Sequence, residues 1–209
     1  MMKKILNSIL FLSVTASCFI FSSCAKKSED VIKEYETAFN AHATNKLVSL
    51  FSSDAVIELS GLNKLTGLVQ IKSYAEYDSV LNSSILISDI TSSNGKSFFV
   101  MTLTNDLFRT IGIDSAKFSM IFKISGGKIH EISGSTTPET DKKIQQFRDP
   151  FMLWAAKEKL DLLNEIMPEG SMVYNAANAK KYLELVLEWK NTNPVIQIKP
   201  EEKKIKPHW

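Results

Sequence analysis

Behind Lys3 and Lys4 the chain opens on an apolar run, Ile5 to Phe21, that no charge interrupts. After a polar stretch, Ala25 to Asp30, the apolar positions take helical spacing. Val31, Tyr35, Ala38, Phe39 and His42 predict a helix over 29–43, with Ser28 as its N-cap. Asn45 caps a second, short helix whose Leu47, Val48, Leu50 and Phe51 point inward, and Ser53-Asp54 ends it. Residues 55–60 alternate as a strand, and Gly61-Leu62-Asn63-Lys64 turns the chain toward Leu65-Thr66. Gly67 opens a third helix to about residue 81, with Leu68, Ile71, Tyr74, Ala75 and Val80 as its apolar side.

Longer strands follow, at 84–92, 96–108, 116–124 and 128–137. Ser93-Asn94-Gly95 is a two-residue hairpin signal, and Ser125-Gly126-Gly127 is a second turn. Phe98, Phe99, Val100 and Met101 put apolar side chains on both faces of one strand, which predicts a sheet covered on both sides. From Glu139 the spacing is helical again, through Ile144 and Phe147, then Pro150 at a first helical position, then Phe151, Trp154, Leu160, Leu163 and Ile166. Pro168-Glu169-Gly170 stops this segment, and a last helix carries Tyr182, Leu183, Val186, Leu187 and Trp189. The expected class is α+β: a cone-like curved antiparallel sheet packed on N-terminal helices, with a C-terminal helical hairpin. Residues 29–138 make the α+β domain, 139–194 the helical extension and 195–209 a mobile tail.

Composition adds exclusions. Of 209 residues, 44% are apolar and 23% charged, with 25 basic against 23 acidic, which excludes a disordered chain and a basic nucleic-acid binder. The two cysteines, Cys18 and Cys24, both fall in the first 25 residues. Phe21-Ser22-Ser23-Cys24 resembles a bacterial lipobox, in which the chain is cut before a cysteine that then carries lipid. The reading is a signal peptide over 1–23 and a tether over 24–28, with Cys24 as lipid attachment; a plain signal peptide or an uncleaved signal anchor are its alternatives. Thr15-Ala16-Ser17-Cys18 is a weaker second site, because apolar Phe19-Ile20-Phe21 follows it. A diacylated Cys24 would anchor the chain stably to a membrane of the cell envelope, without specifying the leaflet. Loss of Lys3 and Lys4 leaves 23 basic and 23 acidic residues, so the mature chain is neutral.

Tyr35-Glu36-Thr37-Ala38-Phe39-Asn40, Leu47-Val48-Ser49-Leu50-Phe51, Asp54-Ala55-Val56-Ile57-Glu58, Gly61 and Gly67 resemble the opening of the nuclear transport factor 2-like superfamily, which includes SnoaL-like cyclases and ketosteroid isomerases. Phe122-Lys123-Ile124-Ser125-Gly126-Gly127-Lys128-Ile129 resembles its last hairpin. The resemblance implies a cone whose open end is an apolar pocket, here lined by Tyr35, Met120, Phe122, His130 and Ile132. It matches Tyr35 to the isomerase's oxyanion tyrosine, but puts Leu59 where that enzyme has its base and Met120 where it has its protonated aspartic acid. Proton-shuttling isomerase chemistry therefore lacks two of its groups. By the same resemblance, His130 shares the concave face with Ile132 and Gly134, although Ile129 and Ile132 then point to opposite faces.

Other chemistry is thin. No His pair stands at helical spacing and no Cys-x-x-Cys is present, so neither a metal nor another cofactor is expected. Asn105, Asp106 and Arg109 form either a polar site or a solvated strand end, and His42 sits near a helix C-terminus. Phe151, Trp154, Tyr182 and Trp189 read as the core of the hairpin. The leading expectation is a lipid-anchored envelope protein that binds a small apolar molecule without catalysis. Its alternatives are a SnoaL-like enzyme on a lipid or cyclic substrate, using Tyr35 and His130, and a structural or protein-interaction module. The resemblance also implies a homodimer through the outer sheet face as one arrangement, which the helical hairpin would prevent if it covered that face.

Overall fold

The structure, a computed structural model, describes residues 27–192. The expected signal peptide, Cys24 and the tail from 195 lie outside the described residues, as do Asn193, Pro194 and His208. Helices α1 (Ser28–Asn40) and α2 (Thr44–Val48) lead into β1 (Phe51–Leu59), β2 (Leu65–Thr66) and α3 (Gly67–Val80). Then come β3 (Ser84–Ser93), β4 (Lys96–Thr104), a short α4 (Asp106–Thr110), β5 (Ala116–Ser125) and β6 (Lys128–Thr136). The extension is α5 (Pro138–Glu158), α6 (Leu160–Ile166), a 3-10 turn (Pro168–Gly170) and α7 (Ala176–Thr192). Among the described residues no helix is long and apolar enough to cross a membrane.

The strands form one open sheet in the order β2-β1-β6-β5-β4-β3. It is mixed rather than purely antiparallel, because β1 runs parallel to β6. Its inner face carries Phe51, Ala55, Ile57, Phe99, Met101, Met120, Phe122, Ile124, Ile129 and Ile132, all buried against Val31, Ile32, Tyr35 and Phe39 of α1 and Ile71 and Ala75 of α3. That wrapping of a curved sheet around two helices is the expected cone.

Three expectations change. First, α5 runs through Pro150, which is not a first turn. The proline removes the N–H that would bond the carbonyl of Gln146, and Gln146 is an exposed residue. The helix start lies instead at Pro138, where the Thr137 hydroxyl caps the Thr140 N–H at 3.4 Å. Second, β4 ends at Thr104, and Asn105 turns the chain into α4 by accepting from the Phe108 N–H at 2.7 Å. Asp106 then ion-pairs Arg109 at 2.6 Å, so this trio shapes a helix end. Third, the extension does not cover the outer sheet face. Helix α7 lies against α3 and α4, and the extension's core of Phe147, Phe151, Leu163, Ile166, Tyr182, Leu185 and Trp189 closes over Ile111 and Ile113. On the outer face Leu86 is left 64% exposed and Phe98 40%.

Close packing at β6 is testable. A Cβ on Gly134 would sit 2.6 Å from the Met120 sulfur and 2.8 Å from the Ser119 backbone oxygen. The sulfur can swing away, but the carbonyl cannot. Gly134→Ala is expected to lower unfolding free energy by about 1–3 kcal/mol in urea titration; an unchanged midpoint would mean that β5 and β6 are not this tightly held.

Candidate functional site

The cone interior is occupied by its own side chains. The Tyr35 ring stands edge-on to Phe122, with centroids 5.1 Å apart at 90°, and to Phe51 at 6.2 Å. It also packs on Phe39 at 6.0 Å, and Phe99 meets Phe122 at 4.8 Å. Met120, Phe122 and Ile132 are 2%, 0% and 1% exposed, so four of the five expected pocket residues come together as core. A separate cavity of about 10 Å³, room for one water, lies between α1, its link to α2, and α3, lined by His42, Thr44, Asp78 and Ser79 among others.

His130 is the fifth, and it is not with them. In β6, Ile129 pairs Ile124 and Glu131 pairs Lys123, which leaves His130 as the extra residue of a β-bulge. Against β1 the register also jumps there, from Phe51↔Ile129 to Val56↔Glu131. The bulge lets Ile129 and Ile132 both face inward despite their spacing, and it leaves His130 exposed to solvent. Its neighbour Asp54, also exposed, is held below the usual carboxylate range by the Ser52 hydroxyl, by its own backbone N–H and by His130. His42 follows α1 in the left-handed conformation, with φ 51, and is exposed.

A polar cluster that sequence reasoning missed lies at the seam between α3 and the extension. Asp78 is 6% exposed, and the Ser83 hydroxyl donates to its Oδ1 at 3.1 Å. Burial pushes its carboxyl up to about 7, against the opposing pull of the Ser83 and Tyr74 hydroxyls. Tyr74 and Tyr77, on the same helix, each meet the Tyr174 ring edge-on, at 5.2 and 5.1 Å. The signal was present in the chain: Ile71, Tyr74, Ala75 and Asp78 share one helical face, which places an acid on an apolar stripe.

A depression of about 420 Å³ lies on the sheet, lined by Asp89, Phe98, Phe99, Val100, Ser119, Met120, Ile121, Gly134 and Ser135. Its exposed residues share one parity. Val100 pairs Ser119, Ser119 pairs Ser135, and Phe98 pairs Ile121, so these side chains make adjacent rows on the outer face. Phe99, Met120 and Gly134 belong to the inner rows and supply the floor. Asp89, at φ 57, is at the bulge of β3 beside the rim. Lys123 and Glu131 form an ion pair on the same strands. A shallow apolar basin with hydroxyls at one side suits a small molecule with an apolar body and one polar end.

No family model matches this chain, and no curated protein is found to be similar to it. Solved structures of similar fold are nuclear transport factor 2-like, ketosteroid isomerase-like and polyketide cyclase-like proteins. A protein of unknown function described as NTF2-like, from Cytophaga hutchinsonii, shares 9% identity over 54% of this chain and 92% of its own, with a TM-score of 0.46. SalBIII, described as an epoxide hydrolase/cyclase-like enzyme in pyran ring formation of salinomycin, shares 14% over 54% of this chain and 92% of its own, at 0.48. A polyketide cyclase-type protein from Sinorhizobium meliloti shares 19% over 55% of this chain and 99% of its own, at 0.45. These values assign no residue role here; the fold stands on this chain's own strand order and register.

The chain's five tyrosines supply a test of the buried cluster. Burial is the leading cause that raises all of them, Tyr182 to about 12 and Tyr35, Tyr74, Tyr77 and Tyr174 also above the ordinary value of 10.0. Tyrosinate absorbance is therefore expected to stay flat through pH 10 and to appear in one step with alkaline unfolding. A phenol titrating near 10 in the folded protein would contradict the packing described for its ring.

Proposed function

We propose that this protein is a lipid-anchored module of the bacterial cell envelope that holds a small apolar molecule, without catalysis, on the outer face of its sheet. The observation that carries the reading is the basin between β4, β5 and β6, where Phe98, Val100 and Ile121 give apolar walls and Ser119 and Ser135 give hydroxyls. The anchor rests on Phe21-Ser22-Ser23-Cys24. Catalysis through Tyr35 and His130 has no support in the geometry. Tyr35 is enclosed by aromatic rings, whereas His130 faces solvent from a bulge. A second reading, a homodimer through the same face, is favoured by the exposed Leu86 and Phe98. A second copy would bury both.

Membrane fractionation tests the anchor. Cys24→Ala is expected to move the protein from the membrane to the soluble fraction; unchanged partitioning would refute lipidation at that position. Native mass spectrometry tests the site, with the intact protein in detergent and a medium-chain fatty acid as probe. Ile121→Asp puts a charge into the basin and is expected to reduce probe retention at least about tenfold. Equal retention by both proteins would remove the basin as the binding site. A dimer that Ile121→Asp dissociates, with no bound probe in either protein, would favour the second reading.

A further inference from the structure

Strand β3 is the last strand of the sheet, with β4 on one side only. Its first half, Ser84-Ile85-Leu86-Ile87-Ser88, carries no charge and no proline, and three of its five residues are aliphatic. Such a segment pairs readily with another strand, because nothing in it repels or blocks one. Exposed edges are commonly protected by a lysine, a proline or a bulge. Here the bulge comes only at Asp89, where φ is 57 and the register against β4 jumps between Ser88 and Thr91. The stretch before it depends on another guard.

Helix α1 supplies it. The Asn40 side chain takes both backbone groups of Ile85: its Oδ1 accepts from the Ile85 N–H at 2.7 Å, and its Nδ2 donates to the Ile85 carbonyl at 2.9 Å. A side-chain amide carries the same donor and acceptor as a peptide group, so Asn40 stands in for a residue of a neighbouring strand. One turn earlier, the Glu36 carboxylate accepts from the Ile87 N–H at 2.9 Å. The spacing makes this possible. Four helical residues rise about 6 Å and two strand residues about 6.7 Å, so side chains at 36 and 40 meet alternate residues of β3. Asn40 is exposed and Glu36 half-buried, so a competing strand can reach these bonds.

We propose that the β3 edge at 84–88 is a self-pairing surface for a second copy of this chain, held closed by Asn40 and Glu36 of α1. The partner follows from the chemistry of the segment. A two-fold axis sets an edge strand antiparallel to itself. With that axis at Leu86, Ile85 opposes Ile87, and no like charges meet. Pairing exchanges the three side-chain bonds for backbone ladder bonds between the same N–H and carbonyl groups. While the guard is closed, those groups are already satisfied and a second strand adds little. The edge is distinct from the outer face of the sheet, and its pairing stands or falls independently of the basin there.

Amide exchange followed by NMR on the full chain in detergent reads the guard, and native mass spectrometry reads the pairing. Ile121→Asp is carried in every protein, which keeps association through the outer face out of the readout. In dilute protein, the double variant Glu36→Ala with Asn40→Ala is expected to speed exchange at the Ile85 and Ile87 amides at least about tenfold, while the Phe99 and Met120 amides keep their protection. At high concentration it is expected to populate a dimer at least about tenfold more than its parent, with the Ile85 and Ile87 amides protected again. Gly134→Ala, which disturbs β5 and β6 and leaves β3 alone, is expected to stay as monomeric as the parent. Unchanged exchange at both amides, a double variant that stays monomeric, or a Gly134→Ala protein that dimerises equally would each overturn the proposal. Should the double variant fail to fold, Asn40→Ala alone serves. The Ile85 amide is then expected to exchange faster with Ile87 unchanged and the dimer population to rise, and the absence of either change overturns the guard.

Discussion

Phe122 is wholly buried between the sheet and α1, with Tyr35 edge-on at 5.1 Å and Phe99 at 4.8 Å. Edge-on ring contacts of this kind add to the apolar burial that drives folding, and truncating such a phenylalanine to alanine typically costs about 3–5 kcal/mol. Everything else about the molecule's chemistry follows from that packing. A cone whose centre is aromatic side chain has no room for a substrate, so Tyr35 acts as a wall of the core and not as a donor to a ligand. The sheet's other face carries a second apolar surface, because strands that turn Phe99 and Phe122 inward turn Phe98, Val100 and Ile121 outward.

The extension completes the cone in a different way. It closes over α3 and α4, so one end of the domain is sealed by chain while Leu86 and Phe98 on the sheet's outer face stay exposed. At the sealed end the Asp78 carboxyl is buried and accepts a hydrogen bond from the Ser83 hydroxyl.

Much of the fold was legible because its periodicities are strong. The Asn94-Gly95 and Gly126-Gly127 turns, the α3 stripe and the apolar positions on both faces of β4 were all readable from spacing. Local exceptions were not. The bulge at His130 inserts one residue, reverses the parity of everything before it, and so moves the histidine from the inner face to solvent. Pro150 is tolerated inside α5 because Gln146 is exposed, a fact of tertiary placement. The parallel β1–β6 pairing and the site where the extension docks depend on contacts far apart in sequence, which no local pattern encodes. Asp78 was visible on an apolar stripe, but only burial beside Ser83 and Tyr74 distinguishes it from a solvated helix acid.

The central claim is that the inside of the cone is filled and the outside of the sheet binds. Neighbouring residues on β4 and β5 face opposite ways, so methyl-resolved NMR during titration with a medium-chain fatty acid separates the two faces residue by residue. Shifts confined to the Val100 and Ile121 methyls, with Met120, Ile132 and Ile57 unmoved, are the expected result. Shifts on Met120, Ile132 and Ile57 with Val100 and Ile121 silent would place the ligand inside the cone and contradict the account.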